Sequence, residues 1–510
     1  MALGRAHAVA LAGLTGHLIE VEAHLTASIP GFTLVGLPDT SLGESRDRVR
    51  AAVASAGLRF PARKIVVNLS PASLPKSGSS FDIAIAMAIL VGDGVVPERR
   101  AKDTVFLGEL GLDGRIHPVK GVLPAMTSAM SRGFTKFVVP QGNLTEAHLV
   151  TGANVLGAPS LAWVLNRFGV DIPVPTIRPV GVVGDRIPAG DPVDMADVIG
   201  QGPARYALEV AAAGGHHLLL VGPPGTGKTM LAARLPGILP PLTEQESLEV
   251  TSLHSIAGIF DPAQGLVTQP PFQSPHHTAT PAAIVGGGSG MPKPGAVSLA
   301  HRGVLFMDEA PEFVPRVLQT LRQPLERGHL VISRVSATAI FPAEFQLVLA
   351  ANPCPCGQAI GKANECTCTS IQRRRYFSKL SGPLLDRIDL QVEVLPVTAL
   401  DVAERDRAES SANVAARVAQ ARLVAAERLK STAWTRNSLV SGTWLRDTLG
   451  RQSEAIKEVN RAVETGGLTL RGADRVLRVA WTLADLAGAM SPTKDHVYQA
   501  LFLRTRGSFS

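Results

Sequence analysis

The strongest chemical signal in the chain is an octapeptide: Gly222, Pro223, Pro224, Gly225, Thr226, Gly227, Lys228 and Thr229. It satisfies GxxxxGK[ST] and stands between an apolar run, HHLLLVG, and a helix-forming run, MLAARLPGIL. Glycines let a backbone wrap closely round phosphate, so that N–H groups and the start of the following helix meet its charge. Lys228 has the reach for the outer phosphates of ATP, and Thr229 offers a hydroxyl to Mg²⁺. About eighty residues further on, GVLFMDE ends an apolar strand in Asp308 and Glu309. Asp308 suits Mg²⁺, partly through water, and Glu309 suits activation of an attacking water. A third apolar strand, FQLVLAAN, ends in Asn352, a side chain able to orient that water.

Two arginines extend the set. Arg387, in GPLLDRID, is placed to offer a guanidinium to a neighbouring subunit's γ-phosphate, where charge develops in the transition state. The competing reading is a surface pair with Asp386 or Asp389, which would contribute little. Arg471 opens a helix in LTLRGADRVL and is expected to reach the nucleotide of its own subunit. Between the second and third strands, Gly328 is expected to turn a hairpin whose basic face carries Arg327, His329 and Arg334. Such a face suits phosphate backbone, and equally suits solvent.

All four cysteines fall in one short segment, as Cys354-Pro-Cys356 and Cys366-Thr-Cys368. Four thiolates can close a tetrahedral structural Zn²⁺ site. Reduced buried cysteines and a reactive thiol pair are the alternatives.

These residues need a scaffold, and 510 residues exceed one ordinary core. Residues 1–170 read as short strands alternating with helices: an opening hairpin, VRAAVASAGL as helix, KIVVNLS as strand, SSFDIAIAMAILVGDG as a buried helix, KFVVP as strand. Residues 171–195, rich in Pro and Gly, read as a linker. Residues 196–395 alternate apolar strands with helices, which implies a parallel sheet covered on both faces. Residues 396–510 read as helical, with one long helix through DVAERDRAESSANVAARVAQARLVAAERLK and another through LRGADRVLRVAWTLADLAG.

Composition narrows the class. At 45% apolar and 18% charged residues the chain is globular. No uncharged apolar run is long enough to span a bilayer, so no membrane partner and a cytoplasmic location are expected. Net charge is +7, and residues 401–510 hold 17 Lys+Arg against 12 Asp+Glu. With Arg373, Arg374, Arg375 and Lys379 this suits an acidic partner such as DNA, and equally suits solvated helix faces.

The order of motifs resembles the magnesium-chelatase-like AAA+ ATPases of the YifB/ComM family over nearly the whole chain. The resemblance rests on SLPKSGSSFDIAIAMAIL, GPPGTGKTMLA, SPHHT, GAVSLAHRGVLFMDE, ANPCPCG, SGPLLDRIDL and LRGADRVLRVAWTLADL. It implies an α/β architecture: an N-terminal Lon-protease-like (ribosomal S5-type, ChlI-like) α+β domain, a central AAA+ P-loop domain and a C-terminal helical lid of the magnesium-chelatase type. It implies ATP and Mg²⁺ as cofactors and a homo-oligomeric ring, a hexamer. It places Lys228 and Thr229 in Walker A and Asp308 and Glu309 in Walker B. Asn352 becomes sensor 1, Arg387 the arginine finger and Arg471 sensor 2. Family members usually carry Arg before SPHHT, where this chain has Gln273.

SLPKSGSSFDIAIAMAIL also resembles the segment carrying the catalytic serine of Lon-type proteases. Alignment over Pro75-Lys76-Ser77-Gly78-Ser79-Ser80 sets Ser80 at the nucleophile. In GRIHPVKGVLPA it sets Leu123 where the lysine base would stand, with Lys120 three residues away. Serine needs a base to attack. A Lon-like fold without peptidase activity is therefore expected, with Ser80 capping the next helix. Three functions compete: a DNA helicase or branch-migration motor in recombination or DNA uptake, a chelatase-type ATPase driving metal insertion through a partner, and, least favoured, an ATP-dependent protease.

Overall fold

The computed structural model describes residues 2–36, 40–71, 74, 76, 78–181, 193–288, 292–333, 338–359, 366–380, 382–403, 408–450 and 452–505. The opening residues form the expected hairpin, β1 (Ala2–Ala12) antiparallel to β2 (Thr15–Thr26), with Ala12 opposite Thr15. Alternation decides its faces: Ile19, Val21, Ala23 and Leu25 are buried, while Glu20 and Glu22 pair with Arg5 across the other face. The hairpin joins β3 (Gly31–Val35), β4 (Lys64–Ser70), β5 (Thr104–Phe106), β6 (Lys136–Pro140) and β7 (Asn154–Ala158). Their order is β3-β4-β2-β1-β5-β6-β7, mixed parallel and antiparallel.

Against this sheet lies α1 (Asp82–Gly92), every residue of which is buried. DIAIAMAILVG has no polar face because it is enclosed on all sides. Close approach to β1 requires Gly4, where a Cβ would stand 2.1 Å from the Ala88 carbonyl oxygen. Asp82 opens the helix and is satisfied by Ser45, Arg48 and the Leu110 N–H.

The second sheet contains β8 (Leu218–Val221), β9 (Phe272–Gln273), β10 (Val304–Met307), β11 (Gln346–Ala351) and β12 (Leu390–Glu393). Its order is β9-β10-β11-β8-β12 and every neighbouring pair is parallel. The register sets Leu218 beside both Val348 and Leu390. LLLV, VLFM and QLVLAA are buried throughout, as strands covered on both faces must be. Leu218 and Leu220 enter one core with α2 (Gly202–Gly214), α3 (Ser411–Leu429) and α4 (Leu470–Leu486). Leu219 and Val221 enter the opposite core with Leu305, Met307, Tyr376 and Phe377.

Three local expectations change. The long helix expected from 401 divides into Ala399–Ala403 and α3, because Ser410 caps α3 through the Asn413 N–H and Ser411 accepts the Met195 N–H at 2.7 Å. Serine competes for backbone groups and so favours caps over helix interiors. The helix after the octapeptide, α5 (Lys228–Arg234), is short and gives way to a 3₁₀ turn at Pro236–Ile238. Gly328 does not turn the hairpin. It adopts φ 68° as the C-cap of the helix Arg322–Arg327, and the hairpin pairs His329–Ser333 with Thr338–Pro342. Arg334 lies outside the described residues.

The elements around the two sheets touch through specific contacts. Ser255 accepts the Gly121 N–H at 3.0 Å and donates to buried Glu146. Leu14, from the β1–β2 turn, packs with Leu253, Ile332 and Phe341.

Candidate nucleotide site

The C-terminal ends of β8, β10 and β11 lie side by side, and each delivers one part of the sequence-derived set. Gly225 and Gly227 adopt φ 77° and 89°, which admits the loop to its tight path. Buried Lys228 donates to the Gly222 carbonyl at 2.7 Å, the Pro223 carbonyl at 2.8 Å and Asn352 Oδ1 at 3.2 Å. Burial lowers its pKa, and the charges of Asp308 and Glu309 work against that shift. Thr229 donates to Asp308 Oδ2 at 2.6 Å. A hydroxyl and a carboxylate in contact are the hard oxygen donors Mg²⁺ takes when phosphates complete its shell. The Glu309 N–H donates to Asp308 Oδ1 at 2.9 Å. Glu309 holds φ 50°, a left-handed conformation costly for a residue with a Cβ. Its carboxylate stands 3.2 Å from His277 Nδ1. His277 was not singled out from the sequence, although it belongs to the SPHHT motif that follows β9.

Arg387 is not paired with Asp386 or Asp389. Its guanidinium meets Glu326 and the Pro383 carbonyl. Burial and the charges of Arg322, Arg475 and Arg471 lower its pKa. Exposed Arg471, at the start of α4, therefore shares the electrostatic surroundings of Arg387. Asp389 is buried and takes Arg475 on one oxygen and His216 Nδ1 at 3.3 Å on the other. Arg475 also donates to the Arg387 carbonyl at 3.0 Å, and Arg504 to the Ile388 carbonyl at 2.7 Å. Two arginines from the C-terminal helices thus hold the backbone that carries Arg387. Nothing local in the sequence marks them.

The four thiols converge. Sγ–Sγ distances are 3.2 Å for Cys354–Cys356, 3.7 Å for Cys354–Cys366 and 3.6 Å for Cys356–Cys366, and all four sulfurs lie within 4.8 Å of one another. Tetrahedral coordination at a Zn–S length of about 2.3 Å needs sulfurs about 3.8 Å apart, so the donor set and spacing fit Zn²⁺. Burial pushes the Cys354 thiol up to about 12, whereas the Gln358 N–H draws Cys356 down to about 6.

In the N-terminal region Leu123 is buried and Lys120 donates to the Ala257 carbonyl at 3.2 Å. Ser80 does not cap α1. The N-cap is Phe81, in helical conformation and without a side-chain bond, because the Ser79 carbonyl meets the first N–H instead. Pro75 and Ser77 lie outside the described residues. No helix among the described residues is long and apolar enough to cross a membrane.

Comparison with known proteins gives matches to three family descriptions. Residues 194–402 match magnesium chelatase, subunit ChlI; residues 21–143 match subunit ChlI of Mg-chelatase; residues 408–504 match its C-terminal region. An uncharacterized protein of Mycobacterium tuberculosis H37Rv is 50% identical over 512 residues, all of both chains. Competence protein ComM of Haemophilus influenzae is 40% identical, over 99% of this chain and 98% of that one. YifB of Escherichia coli is 40% identical, over 99% and 97%. Lon protease 2 of Bacillus subtilis is 36% identical over 149 residues, 26% of this chain and 25% of that one.

Proposed function

The chain belongs to the magnesium-chelatase-like AAA+ ATPases of the YifB/ComM family, and on that premise we propose that it hydrolyses ATP as a homo-oligomeric ring, a hexamer, working on DNA. The reading is supported most directly by the convergence of Lys228, Thr229, Asp308 and Asn352 at three adjacent strand ends. Residues 1–170 form the Lon-like, ChlI-like domain, 171–195 the linker, 196–395 the ATPase domain and 396–510 the helical lid.

In this reading the octapeptide loop cradles the phosphates and Lys228 leaves its carbonyl partners for the outer ones. Thr229 and Asp308 would hold Mg²⁺, which when bound would neutralise charge on the phosphate oxygens. Glu309 takes the proton of the attacking water, and Asn352 orients that water. Arg387 meets the developing charge across a subunit boundary, and Arg471 reaches the nucleotide of its own subunit. Zn²⁺ held by Cys354, Cys356, Cys366 and Cys368 would brace the chain between Asn352 and Arg387.

DNA is favoured by the basic C-terminal region and by the relative named as a competence protein. The chelatase reading draws on the family descriptions. Peptidase chemistry is disfavoured because Lys120 is engaged with the Ala257 carbonyl and the alignment sets buried Leu123 where the base would stand.

The test is ATP turnover with and without forked or four-way DNA. Stimulation supports the DNA motor, whereas turnover indifferent to DNA, with no DNA binding, removes it. Lys228→Ala should abolish binding or turnover, and Glu309→Gln should bind ATP but turn it over on the order of a hundredfold more slowly or worse. Normal turnover in either variant would refute the site.

A further inference from the structure

The proposed ATPase site explains neither the arginine run nor the way the cysteine cluster is packed. Cys354 comes two residues after Asn352, so the strand that delivers the water-orienting side chain leads straight into the cluster. Within the cluster loop the Gly357 N–H returns to the Cys354 carbonyl at 3.0 Å. Gly357 has φ +80°, and a Cβ there would stand 2.6 Å from Pro224 Cδ of the phosphate loop. The two loops are therefore in contact, with no room for a side chain between them.

From Cys368 the chain enters α6 (Ser370–Ser378) through a Thr369–Gln372 capping box, and Arg373 donates back to the Cys368 carbonyl at 3.2 Å. The inner face of α6 is fixed: Tyr376 and Phe377 are buried in the ATPase core, and the Tyr376 hydroxyl meets the Asn352 backbone. The outer face is basic and open. Arg373, Arg374 and Arg375 are exposed, and among the described residues no carboxylate pairs with them. Lys379 is engaged, 3.5 Å from Glu312. Ile371, on the same helix, is 77% exposed. Three consecutive guanidiniums fan round a helix at about 100° intervals, which suits several phosphates along a curving backbone better than one anion. Guanidinium forks match phosphate in two-bond geometry.

We propose that the exposed face of α6 binds the phosphate backbone of nucleic acid, and that the metal-closed cysteine cluster ties this face to the phosphate loop and Asn352, so that polymer contact is sensed at the ATP site. This rests on the reading of the chain as a DNA motor and adds where the polymer is gripped.

The experiment uses the full-length protein and a fluorescent forked DNA, with affinity measured by anisotropy over a series of salt concentrations. The triple variant Arg373→Gln, Arg374→Gln, Arg375→Gln should bind at least about tenfold more weakly, with a log–log salt slope shallower by about 2 to 3, one increment for each lost phosphate contact. The double variant Cys356→Ser, Cys366→Ser keeps the arginines but opens the cluster. It should lose the DNA response of ATP turnover. Circular dichroism and nucleotide binding establish that each variant is folded. A folded triple variant with wild-type affinity and slope would overturn the proposal while leaving the DNA motor standing. Wild-type protein that binds no DNA would remove both. Loss of ring assembly in the triple variant would identify this face as a subunit contact, and would also overturn the proposal.

Discussion

Replacing Asp389 by Asn should destabilise the junction between the ATPase sheet and the C-terminal helices by about 3 kcal/mol. The carboxylate is buried at the start of β12 and accepts from Arg475, from His216 Nδ1 at 3.3 Å and from the His217 N–H at 3.4 Å. Burial alone would raise its pKa. The His216 hydrogen bond and the Arg475 charge outweigh burial and hold it well below the usual carboxylate range. Removing one member of a buried ion pair costs about 3–5 kcal/mol, because the other charge stays buried without its partner. Asparagine keeps the shape and one acceptor but turns an N–H₂ group toward donors, which sets the expectation at the lower end. In domains of this size each kcal/mol moves Tm by about 2–4 °C, so the loss should be about 6–12 °C. Differential scanning calorimetry measures it, with exposed Asp386→Asn as the control expected to stay within about 0.5 kcal/mol. ATP turnover should fall too, because Arg475 also holds the Arg387 carbonyl. The pH dependence has a definite sign. A folded-state pKa below the unfolded value gives stability that is present above about pH 3.9 and is lost only as pH falls toward the folded value. The gap in Tm should therefore be constant from about pH 5 to 8 and close only in stronger acid. A variant that melts with the wild type at pH 7 would refute the assignment of Asp389 as the central anion of this junction.

Arg387→Ala should retain ATP binding and lose on the order of a thousandfold in turnover. Mixing it with Lys228→Ala chains should restore part of that turnover, because some interfaces then pair an intact loop with an intact arginine; full activity of Arg387→Ala alone would reject the role. Protein purified without a metal-affinity tag should carry about one Zn²⁺ per chain by mass spectrometry, and folded, active, metal-free protein would contradict this. Ser80→Ala should leave ATP turnover unchanged and no casein cleavage should be found in either protein; serine-dependent cleavage would overturn the reading of Leu123 as a lost base.

The chemistry of Lys228, Thr229, Asp308, Glu309 and Asn352 was legible in the sequence because it is local. A strand end sets where a side chain emerges: Asp308 with Glu309, and Asn352, follow directly on their apolar runs, and Lys228 and Thr229 close the glycine-rich loop that leaves a third. The strands themselves were legible for a related reason: LLLV, VLFM and QLVLAA are apolar on both faces, and only a covered parallel sheet buries both. Where local signals competed, the reading failed. Gly328 served a helix C-cap rather than the hairpin turn, and paired serines at 410 and 411 ended what periodicity alone had joined into one helix. The partners of Arg387 were decided only by tertiary structure. Arg475 and Arg504 stand 88 and 116 residues from the carbonyls they hold, and a loop closure of that length leaves no periodic or compositional trace. The same is true of Gly357 against Pro224 and of His277 against Glu309, which touch because neighbouring parallel strands end together. Residue type and spacing along the chain determined which groups could react; the lateral order of the strands decided which of them meet.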